Sequence, residues 1–339
     1  MQGKRIVELD YLRALCILLM VAFHLVFIGR TYPVAKQVVY TFHMPVFLII
    51  SGYLARVPKE GGSHGRFLRA MLWIAVPYAL VESAYVVAAS LLPVYEHVDH
   101  LSPLVLACKV VLHPIGPYWY LHTLLLCSLA YYGVMLLRAM PMLFRLVLLA
   151  VVYWFLSRVC GIMVLANAMY FLFGALLRLS GMGFLRFFPS RWWMVPVLLC
   201  VVLPPLLPEL AHCRLVESGV WTFSKSSLGG IAMVWSVTGV MLWSYRLLSQ
   251  RVVSPLLFIG SNTLPLLLFS PLFTILAKTW QPWLLAVDGS GMVFMLVSVA
   301  VAVVGSLALG ALSDRLGLSR YFFGGKVLRF PQEKSGNRA

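Results

Sequence analysis

The feature that most constrains this chain is its series of apolar runs, each about as long as a bilayer-crossing helix. Such a helix takes about 20 residues. In hydrocarbon no water is present to satisfy backbone N–H and C=O groups, so a crossing segment must be a helix or part of a closed barrel. Barrel strands alternate apolar and polar residues over segments of about ten. The runs here are continuous, which selects helices.

Ten spans are expected, near 9–29, 38–55, 68–92, 118–137, 143–160, 163–179, 192–208, 226–245, 254–277 and 291–312. The tract from Leu143 to Leu179 is broken only by Arg158 and Gly161, and its length favours two helices joined by a tight turn. A first span preceded by Lys4 and Arg5 has the look of a signal peptide, but it is too long for one and has polar residues inside it. The expected fold is an all-α integral membrane protein of about ten transmembrane helices. Residues 1–313 would form one polytopic domain and 314–339 a basic cytoplasmic tail, a membrane-surface segment followed by a disordered end. No internal repeat or separate soluble domain is evident.

Composition agrees. Of 339 residues 61% are apolar and 11% charged, against about 25% charged in soluble domains. The net charge of +16 raises the question of nucleic acid, but its distribution answers it. With both termini inside, the inner segments and Arg13 hold 20 of the basic residues. The outer segments hold seven: Arg30, Lys36, Lys109, Arg158, Arg214, Lys225 and Lys278. That is the positive-inside bias, so the charge reports topology and gives no reason to expect a nucleic-acid partner. The six cysteines show no metal-ligand spacing. Cys16, Cys127, Cys160 and Cys200 lie in apolar spans as packing residues. Cys108 and Cys213 fall in the two longest outer loops, where a disulfide is permitted but not required.

Ionisable residues inside spans are costly and mark function by default. The first span reads Glu8-Leu9-Asp10-Tyr11-Leu12-Arg13-Ala14, then His24. Arg13 and His24 are eleven residues apart, which leaves them within about 20° of one face and about 16 Å apart along the axis. Asp10 is three residues before Arg13 and can pair with it. The stripe therefore has an ion pair near the inner surface and an imidazole toward the outer one. A snorkelling topology residue explains Arg13 as well from position alone, and a core histidine is the plain alternative for His24. The second span opens with Phe42-His43-Met44-Pro45 and runs to Ser51-Gly52-Tyr53. A loop of roughly eight residues should make the two spans antiparallel neighbours, with His24 and His43 at similar depth. Pro45 removes a backbone donor and can bend the helix. Ser51-Gly52 also reads as a close-packing step, and His43 as an interfacial residue.

Leu9-Asp10-Tyr11-Leu12-Arg13-Ala14, His24, Phe42-His43-Met44-Pro45-Val46-Phe47 and Ser51-Gly52-Tyr53-Leu54, in that order, resemble the acyltransferase-3 family. The His-Met-Pro variant is similar to its fucose 4-O-acetylase-like branch. The resemblance implies a ten-helix O-acyltransferase of the bacterial inner membrane. Such an enzyme takes an acyl group, usually acetyl, from cytoplasmic acyl-CoA to a hydroxyl of a cell-surface carbohydrate. It also implies that Arg13 and His24 are the family's essential pair. Gly116-Pro117-Tyr118-Trp119-Tyr120-Leu121 resembles the motif opening the fourth span, and Arg66 and Arg69 before Pro77 resemble the basic entry to the third. Ile259-Gly260-Ser261-Asn262-Thr263-Leu264 resembles a late-span stretch, but this chain has Phe269-Ser270-Pro271 where the family often has a histidine.

The expected donor site is thus Arg13 and Asp10 with Arg66 and Arg69, holding acyl-CoA as a co-substrate, with no bound cofactor or metal. His24 and His43 are the expected catalytic pair, His24 as general base and His43 orienting it or binding an oxyanion. An acyl-histidine intermediate fits equally. Glu82, Ser51, Tyr53 and Trp119 are the candidates for the acceptor, a carbohydrate on its own or linked to lipid. Two other functions compete: a transporter or glycan exporter with proton-relay histidines, and an acyltransferase for free small molecules.

Overall fold

The computed structural model describes residues 5–58, 64–91, 97–207 and 214–329. All regular structure among them is helical. The amino-terminal half contains α1 (Val7–His24), α2 (Val26–Thr31), α3 (Pro33–Leu54), α4 (His64–Leu91), α5 (Pro103–Val111), α6 (Trp119–Met135), α7 (Met142–Arg158) and α8 (Leu165–Leu179). Next come the short α9 (Phe184–Phe187), α10 (Met194–Val202) and α11 (Arg214–Glu217). The remainder holds α12 (Leu228–Leu247), α13 (Gln250–Ser261), α14 (Thr263–Leu276), α15 (Gln281–Val287), α16 (Met292–Arg315) and α17 (Leu318–Phe322).

Among the described residues five segments are long and apolar enough to cross a membrane: α3, α4, Pro103–Met135, α12 and α16. The bent pair α13–α14 makes six if counted as one crossing. The other runs expected to cross are shorter helices or, in α1, an 18-residue helix carrying Glu8, Asp10 and Arg13. The expected span at 192–208 is helical only over Met194–Val202 and gives way before Pro204-Pro205, where the chain lacks two successive amide donors. The tract 143–179 does form two helices, turning at Gly161 with φ +69°, a conformation that side chains with a Cβ avoid.

Two junctions depart from expectation. The link between the first two spans is not an eight-residue loop: after a break at Leu25 the chain re-enters a helix, and α3 starts at Pro33. Proline is suited to that first position because its missing N–H would have no intrahelical partner. The single late span expected at 254–277 is broken, with α13 and α14 meeting at 86° around Asn262. A break of this kind at membrane depth requires that protein or a cavity surround the freed backbone groups.

The centre is built from α1 and α3. Within its apolar stretch α3 is 61% buried, against 28% for the peripheral α16. Two glycine contacts set the spacing. Gly52 of α3 and Gly174 of α8 face each other's backbones, and a Cβ on either would run into the carbonyl of Phe171 or Ile49. Gly260 of α13 lies against the carbonyl of Asp10 in the same way. In lipid, where burial of apolar surface does not drive helix association, such close approach is what holds helices together. Ser51-Gly52 is therefore a packing step at Gly52, which leaves the preceding serine on another face.

Candidate active site

The first-turn carboxylate of Asp10 organises the Arg13 end of α1. Its Oδ2 accepts from Arg5 Nε at 2.7 Å, while Oδ1 lies 3.4 Å from Arg13 Nη1. The sequence pairing of Asp10 with Arg13 holds, but the shorter bond is to Arg5. A guanidinium has five N–H donors, and among the described residues Arg13 commits one, at the long end of bonding distance. The rest of the group borders a cavity of about 500 Å³. The Arg13 side chain is 24% exposed, and α3, α4, α6 and the α13–α14 break line the cavity that it borders.

The same cavity is lined by Ser51 and Tyr120, whose hydroxyls lie 3.2 Å apart. Ser51 Oγ also donates to Phe47 O at 2.8 Å. Trp73 of α4, Ser261 and Thr263 from the two sides of the break, and Lys326 and Arg329 complete its polar lining. No carboxylate is among the lining residues. Arg66 and Arg69 are not in the lining; both are exposed on the first turns of α4, just before the lining residues Ala70 and Trp73.

The other end of α1 carries the imidazoles. His24 Nδ1 lies 2.6 Å from Met20 O, and His43 Nδ1 lies 2.7 Å from Val39 O. A carbonyl can only accept, so each Nδ1 carries the proton and each neutral ring has its lone pair at Nε2. The ring of Tyr40 stands between them, 5.9 Å from His24 and 5.2 Å from His43. Both histidine rings thus pack near Tyr40, an aromatic that carries no motif of its own.

Two lysines join this end. Lys36 Nζ lies 5.3 Å from the Tyr40 ring and Lys225 Nζ 4.8 Å from the Trp119 ring. Lys36, Tyr40 and Lys225 line one cavity of about 550 Å³. Lys225 also reaches a second, of about 360 Å³, with Trp119, His113, His122 and Asn167. His24 interacts electrostatically with Lys36, and His43 with both His24 and Lys225. Burial lowers the Lys225 ammonium from its ordinary value to about 8, because desolvation penalises the charged form. Trp119 thus joins the histidine end through Lys225.

Tyr53 and Glu82 are placed elsewhere. The Tyr53 hydroxyl accepts from Phe184 N at 3.3 Å, and its ring faces Arg178 at 5.6 Å, on the α8–α9 side of α3. Glu82 is fully buried in α4, and its Oε1 accepts from Ile115 N at 2.7 Å, which anchors the turn leading into α6. Cys213 lies outside the described residues, so nothing bears on its pairing with Cys108. The expected tail is described only as far as Arg329.

A family model described as an acyltransferase domain, Acyl_transf_3, matches residues 6–311. The chain belongs to the acyltransferase-3 family, and with its apolar helices it is a membrane acyltransferase. Comparison with curated proteins and with solved structures returned no match.

Proposed function

We propose that this chain moves an acyl group, acetyl in the simplest case, from cytoplasmic acyl-CoA to a hydroxyl of a cell-surface carbohydrate, in a bacterial inner membrane. The fucose 4-O-acetylase-like branch, ten crossings and both termini inside belong to the same proposal. The observation that carries it is the division of α1 into two chemically distinct ends, with an under-committed guanidinium on an anion-ready cavity at Arg13 and a lone-pair nitrogen at His24.

Arg13 holds the donor. Guanidinium groups suit phosphate because their planar fork matches paired oxygens. The acyl-pantetheine arm then has about 16 Å of helix α1 to run along before it reaches His24. His43, Phe47 and Ser51 are spaced four residues apart on α3 and mark the route on the facing helix. At the far end, His24 Nε2 takes the proton of the acceptor hydroxyl as its oxygen attacks the thioester carbonyl. The C–S bond breaks and the thiolate leaves. The imidazolium returns the proton to that sulfur.

His43 suits positioning better than oxyanion binding, since its one N–H is spent on Val39. Lys225 or the protonated ring is the better oxyanion partner. An acyl-His24 intermediate would use the same lone pair as nucleophile. Ser51 and Trp119 contact the substrates from opposite ends, whereas Tyr53 and Glu82 act through the scaffold.

The break at Asn262 favours a second reading, a transporter, since transporters use discontinuous helices at their binding sites. That architecture calls for a matching break in the other half. One experiment separates the two. Purified protein given radiolabelled acetyl-CoA and cell-surface glycan should release free CoA and label the glycan, and His24→Ala should do neither. Uptake or export of glycan without thioester cleavage would replace the enzyme with the transporter. Mass spectrometry of surface glycans from cells with and without the protein then names the acceptor.

A further inference from the structure

The segment after α17, residues 323–329, is docked rather than trailing. Asp314 accepts from Val327 N at 2.8 Å and Leu328 N at 3.0 Å, one carboxylate oxygen each. Asn262, at the α13–α14 break, accepts from Arg329 N at 2.7 Å and donates Nδ2–H to Arg329 O at 2.9 Å. Gly324, with φ +69°, lies on the indole of Trp73 where a Cβ would strike the ring. Val327 is buried. The backbone is thus pinned at three places across the mouth of the Arg13 cavity.

What the strap adds to that mouth is charge. Lys326 and Arg329 are exposed, and both line the cavity with Arg13. Among the described residues neither side chain forms an ion pair. Asp314 attracts Lys326 from a distance, but its two oxygens are bonded to the strap's backbone. Arg13 and Arg329 already interact unfavourably as like charges. Arg13 keeps its long contact to Asp10 and Lys326 its distant attraction to Asp314, but the cavity's own lining offers the three cations no carboxylate, so an entering anion would meet all of them. Basic residues on this segment also fit the inner-surface charge bias; what a plain surface anchor does not require is that Lys326 and Arg329 line one cavity together with Arg13.

We propose that Lys326 and Arg329 bind phosphate groups of acyl-CoA, so that the strap 323–329 forms the outer half of the donor site whose inner half is Arg13. This rests on the donor reading above. Acyl-CoA carries a ribose 3′-phosphate and a pyrophosphate, enough anionic groups for three cations, whereas the pantetheine arm is neutral. A phospholipid headgroup offers the same phosphate chemistry and must be told apart.

The test is equilibrium binding by calorimetry to the full chain in nanodiscs of neutral lipid, with CoA, 3′-dephospho-CoA and pantetheine as probes. Removing one charge-assisted hydrogen bond to phosphate should weaken CoA binding about tenfold. Lys326→Ala combined with Arg329→Ala should therefore weaken it about a hundredfold and narrow the gap between CoA and 3′-dephospho-CoA. Pantetheine binding should not change. Arg320→Ala, a nearby exposed cation outside the lining, should leave CoA binding as it was. The wild type should also slow hydrogen exchange at 327–329 when CoA is bound. Unchanged CoA affinity in the double variant, with the wild type binding normally, overturns the proposal. So does an effect that appears only when anionic lipid replaces neutral lipid, since the cations then serve headgroups. Failure of the wild type to bind CoA at all overturns the donor reading itself. Retention of the double variant's gel-filtration profile and Tm shows that the strap has not come away.

Discussion

The two ends of α1 are built by opposite means. At the Arg13 end the site is assembled from five parts of the chain, with α3, α4, α6, the α13–α14 break and the strap all contributing polar or aromatic side chains. At the His24 end the two imidazoles are oriented by their own helices, each bonded to the carbonyl four residues back. Orientation by a residue's own helix costs no extra ordering, whereas convergence of distant segments has to be maintained by packing. The consequence is a difference in fragility: the histidine tautomers survive small shifts of neighbouring helices, while the cation cluster depends on every seam around it.

The largest effect expected is at the histidine end. His24→Ala should reduce acyl transfer by roughly 10²–10⁴-fold, the range for loss of a general base, while CoA affinity stays near normal. Parallel loss of transfer and of CoA affinity would mean that the ends are not separable. Next comes the seam on which both depend. Gly52→Leu drives a side chain into the Phe171 carbonyl, an overpacking that costs about 1–3 kcal/mol or more. Folded yield and Tm in detergent should both fall, whereas Ser51→Ala, one residue away, should leave them within error.

Arg13→Lys keeps the charge and removes the fork. Apparent KM for acyl-CoA should rise about tenfold, the equivalent of one good hydrogen-bonded pair, with KM for acceptor unchanged. Asp10→Asn run alongside distinguishes a direct donor role from disturbance of the ion pair, because Asp10 also holds Arg5. If Asp10→Asn reproduces the whole defect, the carboxylate is the cause.

The smallest effect sharpens the electrostatic side of the comparison. The Arg13 end carries a fixed charge, and the histidine end includes an amine that titrates at about 8. Competitive amine labelling read by mass spectrometry should find Lys225 reacting with a midpoint near that value. The cost of burying its ammonium is complete below the folded value of about 8 and fades as the pH rises toward the ordinary 10.5. Lys225→Met should accordingly raise Tm most at neutral pH and least near the ordinary value of 10.5. A labelling midpoint close to 10.5 would show that the amine is solvated and not held against Trp119.

Much of this protein is determined by short-range facts, and those were legible. Apolar run length selects membrane helices, though five or six of the described segments, against ten expected, are long and apolar enough to cross, and a period of 3.6 residues brings Arg13 and His24 toward one face. The i,i+3 spacing joins Asp10 to Arg13, and the placing of His24 and His43 in adjacent helices brings both rings near Tyr40. These follow from the geometry of a single helix or of two neighbours.

What the sequence did not show depends on helices far apart in the chain. Ser261, Thr263, Lys326 and Arg329 share a cavity with Arg13 because Gly260 lets α13 approach Asp10 and because the chain breaks at Asn262, while Tyr120 enters it from α6. Lys36 and Lys225 were visible as two of seven scarce outer charges, but not as neighbours of the histidines. Tyr53 followed Ser51 in a shared motif, yet two residues along a helix is about 200°, and the tertiary structure placed the Arg13 cavity on one side and α8 on the other. A helical period fixes which residues share a face; only the packing of the bundle decides what that face meets.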